Sequence, residues 1–149
     1  VTRFAGGPAD SPGFLMWRTT LSWQRTVAEA LAPLGLTHVQ FVLLACAWWL
    51  GRQGHSPNQL AIASQAATDV KMTSEVLRKL EDKGLLTRRA DPADSRAKVV
   101  TVTERGAELV LRAIGVVERA DSDFFTGVPD SFVAALRTLA GVQQGSAGD

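Results

Sequence analysis

The stretch SPNQLAIASQAATDVKMTSEVLRKLEDKGLLTRRADPADSRAKVVTVTERG, residues Ser56 to Gly106, decides the fold. Two short helical patterns separated by a turn lead into a strand, a charged turn and a second strand. Ser56-Pro57-Asn58-Gln59 reads as a helix start. The serine can cap, the proline has no N–H to lose in the first turn, and Gln59 occupies the position that returns a bond in a capping box. The first helix of the pair therefore spans about Pro57 to Ala66. Thr68 or Asp69 caps the next, Val70 to Lys83. There Val76, Leu77 and Leu80 form an apolar stripe, while Lys71, Ser74, Glu75, Arg78 and Asp82 fall largely on the opposite side. Gly84 is placed to stop that helix in a left-handed conformation. Leu85 to Arg89 and Lys98 to Val102 read as strands around the turn Asp91-Pro92-Ala93-Asp94-Ser95. Such a hairpin is marginal alone, so Leu86, Val100 and Val102 must pack it on the helices. The order is a helix-turn-helix followed by a wing, which points to a protein that reads DNA.

The flanks are helical. Residues 1–13, rich in Gly and Pro, read as a flexible arm. From Phe14 to about Ala32, Leu15, Trp17, Leu21, Val27, Ala28 and Leu31 recur at mixed spacings of three and four, the mark of an amphipathic helix that Pro33 and Gly35 end. A second helix runs from Thr37, a cap with Gln40 three residues on, to Arg52, and Gly51 and Gly54 mark its end. Its Phe41 to Leu50 run is apolar on almost every side, which places it in the middle of a bundle. After the wing, Thr103 caps a long helix to about Phe125. Gly127-Val128-Pro129 interrupts, and Phe132, Val133, Leu136 and Leu139 support a last helix ending near Gly141. Residues 142–149 read as a flexible tail.

The expected fold is therefore mainly α with a small β hairpin, one domain over 14–141. Its winged helix-turn-helix (56–106) is flanked by N- and C-terminal dimerisation helices, 14–32 and 107–141. Dimerisation has a physical motive: Phe14, Leu15, Trp17, Val116, Phe124, Phe125, Phe132, Leu136 and Leu139 are more apolar surface than a small winged domain can hide. Pairing those ends about a two-fold axis would bury it and set two reading heads against successive grooves. The expected operator is an imperfect inverted repeat with half-sites about one helical turn apart.

Composition narrows the class. The chain of 149 residues is 46% hydrophobic and carries scattered charges, without a run of about 18 apolar residues. The N-terminus is too short and too weakly basic before Phe14 for a secretory signal, so the expected location is cytoplasmic. A single cysteine, Cys46, excludes an intramolecular disulfide framework. Within its apolar run it reads as a small buried hydrophobe rather than a redox sensor. With His38 and His55 it makes no convincing zinc set, and no cofactor is expected. No phosphate-cradling glycine loop or nucleophile arrangement suggests an enzyme. The net charge is +1, but its distribution matters more. Thr68 to Gly106 holds nine Lys/Arg against seven Asp/Glu, and Ala107 to Asp149 holds three against six. The middle is thus the phosphate-facing region.

A helix that enters the major groove needs an exposed polar face and an apolar face that holds it to its domain. Val70 to Lys83 meets both conditions. Lys71, Thr73 and Ser74 offer hydrogen-bonding groups to bases and Met72 a contact to a thymine methyl, with Arg78 and Lys79 as phosphate contacts. On the wing, Arg88 and Arg89 lie on the first strand, Arg96 near the tip and Lys98 at the start of the return strand. An arginine on a short turn can enter a narrow minor groove, and Arg96 fits that role, held by donating a charge-assisted bond to Asp94. The plainer alternatives are a solvated helix face and a solvent-facing Asp/Arg turn.

Together Leu80-Glu81-Asp82-Lys83-Gly84-Leu85-Leu86, Arg88-Arg89, Asp91-Pro92-Ala93-Asp94-Ser95-Arg96-Ala97-Lys98 and Val102-Thr103-Glu104-Arg105-Gly106 resemble the MarR family of bacterial transcription regulators. The likeness spans about Leu15 to Leu139. It implies a winged helix-turn-helix homodimer on double-stranded DNA, usually a repressor, with Thr73 and Ser74 near bases and Arg96 as the wing arginine. Thr68 to Ser74 departs from the family's more usual pattern of a small or apolar residue, Ser/Thr, then Val. The resemblance also implies release by a small aromatic, often phenolic, effector in the crease between the dimer helices and each DNA-binding lobe. Trp17, Trp23, His38, Trp48, Trp49 and Arg52 are candidates for that pocket, although packing alone would explain each tryptophan. The alternative function is a winged-helix protein-interaction or architectural module without specific operator recognition.

Overall fold

A computed structural model of the chain describes residues 2–54, 56–94 and 97–143. Six α-helices and one hairpin follow in the order α1 (Pro12–Leu31), α2 (His38–Gly51), α3 (Gln59–Ala66), α4 (Val70–Asp82), β1 (Leu86–Ala90), β2 (Lys98–Val102), α5 (Glu104–Phe124) and α6 (Ser131–Ala140). The helix α1 starts two residues earlier than its apolar pattern, because Ser11 accepts a bond from the Phe14 N–H and Pro12 takes the first helical position. A 3-10 turn at Gly7–Asp10 precedes it.

The helix α2 is the centre of the lobe, as its all-round apolar run requires. Thr37 and Gln40 form the full capping box at its start. Leu43, Leu44 and Ala47 are buried in a core that also takes Val27, Leu31, Ile62, Leu77, Leu80, Leu86, Val100 and Val110. At the other end Trp49 remains 55% exposed. The α5 helix leans along α1 and also touches α2, so the long helix connects the lobe to the chain's two ends.

The start of α3 differs from its sequence signal. Asn58, not Ser56, is the cap, accepting from the Ala61 N–H at 2.8 Å, and the helix begins at Gln59. Pro57 stays extended because its carbonyl accepts from the Val100 N–H at 2.8 Å and Asn58 bridges Val99. Residues 57 and 58 thereby add a short rung on the free edge of β2, which pairs antiparallel with β1, Leu86 opposite Val102 and Ala90 opposite Lys98.

The end of α4 is fixed by its own backbone. Leu85 N–H donates to the Leu80 carbonyl at 3.0 Å and Gly84 N–H to Glu81 at 2.8 Å, with Gly84 at φ +75°. This two-bond left-handed stop aims the chain straight into β1. The Thr103-Glu104-Arg105-Gly106 segment then locks α5 onto that stop. The Thr103 hydroxyl donates to the Gly84 carbonyl at 2.8 Å, and Arg105 donates to the Lys83 carbonyl at 3.0 Å. A Cβ on Gly106 would overlap the Leu85 carbonyl, so only glycine permits the approach.

Candidate nucleic-acid interface

The connection between α3 and α4 is a left-handed stop built without glycine. Ala67 sits at φ +53°, its N–H donating to Ser64, and the Thr68 N–H donates to Ala63 at 3.0 Å. Asp69 then caps α4 through the Met72 N–H at 2.8 Å. The helix presents one face inward, where Val76, Leu77 and Leu80 are buried. Lys71, Glu75, Arg78 and Lys79 are exposed and Ser74 is half-buried. With 3.6 residues per turn, Lys71, Ser74 or Glu75, and Arg78 share one outward stripe. Met72 is half-buried and packs against the core.

Two residues expected at DNA are placed elsewhere. Thr73 is fully buried: its hydroxyl donates to the Asp69 carbonyl at 2.7 Å and lies 2.7 Å from the Thr68 hydroxyl. A threonine that bonds back one turn spends its polar atom on the helix itself. It supports the turn and does not face a base.

Arg88, expected at DNA from the first strand of the wing, is turned inward. Its side chain is 8% exposed. Its Nε donates to Glu81 Oε1 at 3.3 Å, and its Nη1 to Gln59 Oε1 at 3.0 Å and to the Ser74 carbonyl at 3.4 Å. Alternation along β1 accounts for this, since Arg88 shares the inner face with buried Leu86 while Thr87 and Arg89 point out.

The remaining wing cations, Arg89 and Lys98, are exposed. At the turn, Asp91 accepts from the Ala93 N–H at 2.9 Å, and the Asp94 carbonyl accepts from Ala97 at 3.1 Å. Arg96, and with it the expected bond to Asp94, lies outside the described residues, as does His55.

Lys83, which sequence reasoning passed over, anchors the far end of α4. Its Nζ donates to the Gly35 carbonyl at 2.6 Å and to Gln40 Oε1 at 3.0 Å, joining α4 to the capping box of α2. Gln59, read only as a capping partner, and Glu81 were missed as partners of Arg88, and the matching parity of Leu86 and Arg88 is the sequence signal that turns that arginine inward.

The residues considered for an effector pocket separate into groups. Trp23 lines a cleft of about 620 Å³ between α1, the end of α5 and α6, together with Leu15, Met16, Phe125, Phe132 and Leu136. Its indole N–H donates to Asp121 Oδ1 at 2.7 Å, and His38 meets its ring edge-on with centroids 5.0 Å apart. Burial lowers the His38 pKa, opposed in part by the nearby Asp121 carboxylate. Trp48 and Arg52, stacked at 4.9 Å, sit with Trp49 at the opposite end of α2. At 1.5 Å per residue they lie about 15 to 21 Å along the helix from His38, so these three do not join Trp23 and His38 in one pocket. Trp17 lies outside the cleft and is 63% exposed. Cys46 is half-buried against the core, and burial pushes its thiol pKa up, the opposite of what activates a redox cysteine. Among the described residues no single helix is long and apolar enough to cross a membrane.

Known proteins carry the same architecture. The family model described as the MarR family matches residues 36–98. The uncharacterized HTH-type transcriptional regulator YdcH of Bacillus subtilis is 43% identical over 89% of this chain and 92% of its own. The HTH-type transcriptional repressor Rv2887 of Mycobacterium tuberculosis is 36% identical over 76% of this chain and 79% of its own. Its structure in complex with salicylic acid superposes with a TM-score of 0.61 at 30% identity, covering 88% and 94% of the two chains. CouR from Rhodococcus jostii RHA1, solved bound to p-coumaroyl-CoA, superposes with a TM-score of 0.78 at 30% identity over 90% of this chain and 92% of that one. An outward basic stripe on α4, a hairpin locked to its end and likeness along nearly the whole length agree: the chain belongs to the MarR family of helix-turn-helix transcriptional regulators.

Proposed function

We propose that the chain acts in the cytoplasm as a homodimeric repressor that binds an inverted-repeat operator and is released by a small aromatic effector. The observation that carries this reading is the two-faced character of α4. Thr73, Val76, Leu77 and Leu80 fasten it to the lobe, leaving Lys71, Arg78 and Lys79 in solvent. Laid in a major groove, Lys71, Ser74 and Glu75 would meet base edges while Arg78 and Lys79 neutralise phosphates. The hairpin would follow the adjacent minor groove, with Arg89 and Lys98 on its backbone and Arg96 at its tip.

The dimer is supported by the exposed apolar residues of α1 and α6, Phe14, Leu15, Trp17, Val133, Leu136 and Leu139. A second copy packed on them would bury that surface and repeat α4 on the other side of a two-fold axis. Such a dimer near a promoter would repress by excluding polymerase, with no enzymatic step. The effector reading draws on salicylic acid and p-coumaroyl-CoA, the aromatic ligands of Rv2887 and CouR. For this chain the seat would be the crease beside Trp23 and His38. Ligand that favours a lobe spacing unsuited to DNA must lower operator affinity by the same factor that DNA lowers ligand affinity.

Duplexes selected from genomic DNA, followed by anisotropy titration of the selected and scrambled sites at one salt concentration, test the first claim. A preference of about a thousandfold or more is expected, and equal affinity for both duplexes would overturn it. Titrating salicylate against the bound operator tests the second. Release is expected, whereas unchanged affinity at demonstrated saturation of the protein would remove the effector role.

A further inference from the structure

We propose that Arg88 is a positioning residue for DNA recognition that sets the wing against the reading helix and itself touches no DNA. The inference rests on the DNA-binding reading above. Four bonds converge on this residue from three residues on two helices, α3 and α4. Its backbone N–H donates to Glu81 Oε2 at 2.8 Å and its Nε to Glu81 Oε1 at 3.3 Å, so one carboxylate at the end of α4 grips both the strand and the side chain. Its Nη1 reaches Gln59 on α3 at 3.0 Å and the Ser74 carbonyl on α4 at 3.4 Å. At 8% side-chain exposure the guanidinium lies under the hairpin, where a phosphate cannot reach it without breaking these bonds.

The placement matters because the hairpin is two strands only, a unit marginal by itself: Pro57 and Asn58 tie β2 to the start of α3, and Arg88 ties β1 to α3 and α4. The left-handed stop at Gly84 fixes where β1 starts, and Arg88 fixes β1 two residues further along the same inner face as Leu86. The exposed Arg89 and Lys98 are carried by that rigid base. The planar fork of arginine supplies several donors in fixed directions, a requirement lysine cannot meet with one ammonium. Ser74 gains from the same arrangement: its carbonyl is tied to Arg88, which fixes the helix turn that presents its hydroxyl.

The distinction from a phosphate contact is measurable. Each neutralised phosphate adds about 0.9 to the slope of log affinity against log salt. With the full-length protein and its selected duplex, Arg88→Gln and Arg88→Lys should each weaken binding by on the order of tenfold or more. The slope should not change, and the gap between selected and scrambled duplexes should narrow. Arg89→Gln should lower the slope by about one and weaken both duplexes alike. Glu81→Gln, which leaves Gln59 and Ser74 to hold Arg88, guards against a misfolded variant. It should reproduce part of the Arg88→Gln loss with an unchanged circular dichroism spectrum, and the double variant should be no weaker than Arg88→Gln alone. A slope lowered by about one in Arg88→Gln, retention of binding by Arg88→Lys, or additive losses in the double variant would each overturn the assignment. Equal binding of both duplexes by the unsubstituted protein would overturn the DNA-binding reading, and this inference with it.

Discussion

The winged lobe and the helices at the chain's two ends satisfy themselves to different degrees. Between Ser56 and Gly106, Ile62, Leu77, Leu80, Leu85, Leu86 and Val100 are at 2% exposure or less, while Leu60 and Val70 remain about half exposed. Of the twenty residues of α1, by contrast, only Val27 and Leu31 are buried, and α6 buries none. Both regions are helical and both are amphipathic. They differ in that the lobe closes its core within one chain, while the outer helices present Leu139 at 73% exposure and Trp17 at 63%. A surface of that kind is stable in water only when something covers it. In the proposed dimer the lobe would read DNA and the outer helices would hold the second copy.

The largest effect should come from opening the closed side of this contrast. Leu77→Ala removes a fully buried side chain from the root of the reading helix and should cost about 2–5 kcal/mol, read as a lowered midpoint in chemical denaturation at fixed protein concentration. On the open side, Leu139→Glu should leave the fold of a single chain intact, because its side chain already meets solvent there. It should weaken self-association by about 2 kcal/mol, roughly thirtyfold, seen as a concentration-dependent shift to monomer by light scattering. If Leu139→Glu instead lowers the denaturation midpoint without changing mass, the contrast is broken.

A smaller effect sharpens the account of the turn inside the lobe. Ala67 holds a left-handed conformation that costs a non-glycine residue about 1–2 kcal/mol, while glycine loses more chain entropy on folding. Ala67→Gly should therefore stabilise by about 0.5–1 kcal/mol, checked by the same denaturation.

The smallest should be a pH effect at the seam between the two regions, where His38 meets Trp23. Burial lowers its pKa in the folded chain, so the unfolded chain binds the proton more readily. Stability contributed by neutral His38 is present above its ordinary value near 6.5 and declines as pH falls below it toward the folded value. His38→Gln should flatten that part of the stability profile, and an unchanged profile would place the titration elsewhere.

Much of this was legible in the residues. The Thr37–Gln40 box, the Val76-Leu77-Leu80 stripe, Gly84 and the two strands rest on local chemistry that neighbouring positions encode. The start of α3 was not legible, because Pro57 and Asn58 are held extended by Val99 and Val100, more than forty positions away. Thr73 looked like a reading residue since its spacing puts it near the outward stripe, but the stripe boundary is set by the Thr68–Asp69 turn against which its hydroxyl closes. Arg88 and Arg89 are adjacent cations in sequence and opposites in space. Only the pleat, anchored by Leu86, tells which one is exposed. The effector candidates scattered for a related reason: Trp23 on α1, against the start of α2, and Trp48 and Trp49 at the far end of α2 look equivalent as a list of aromatic residues, and the length of α2 separates them.

The claim that the lobe is complete alone while the platform requires a second copy is tested most directly by sedimentation equilibrium of the unsubstituted protein at low micromolar concentration. A single species at twice the chain mass is the predicted result. A folded monomer at the mass of one chain, with the α1 and α6 faces left in water, would contradict it.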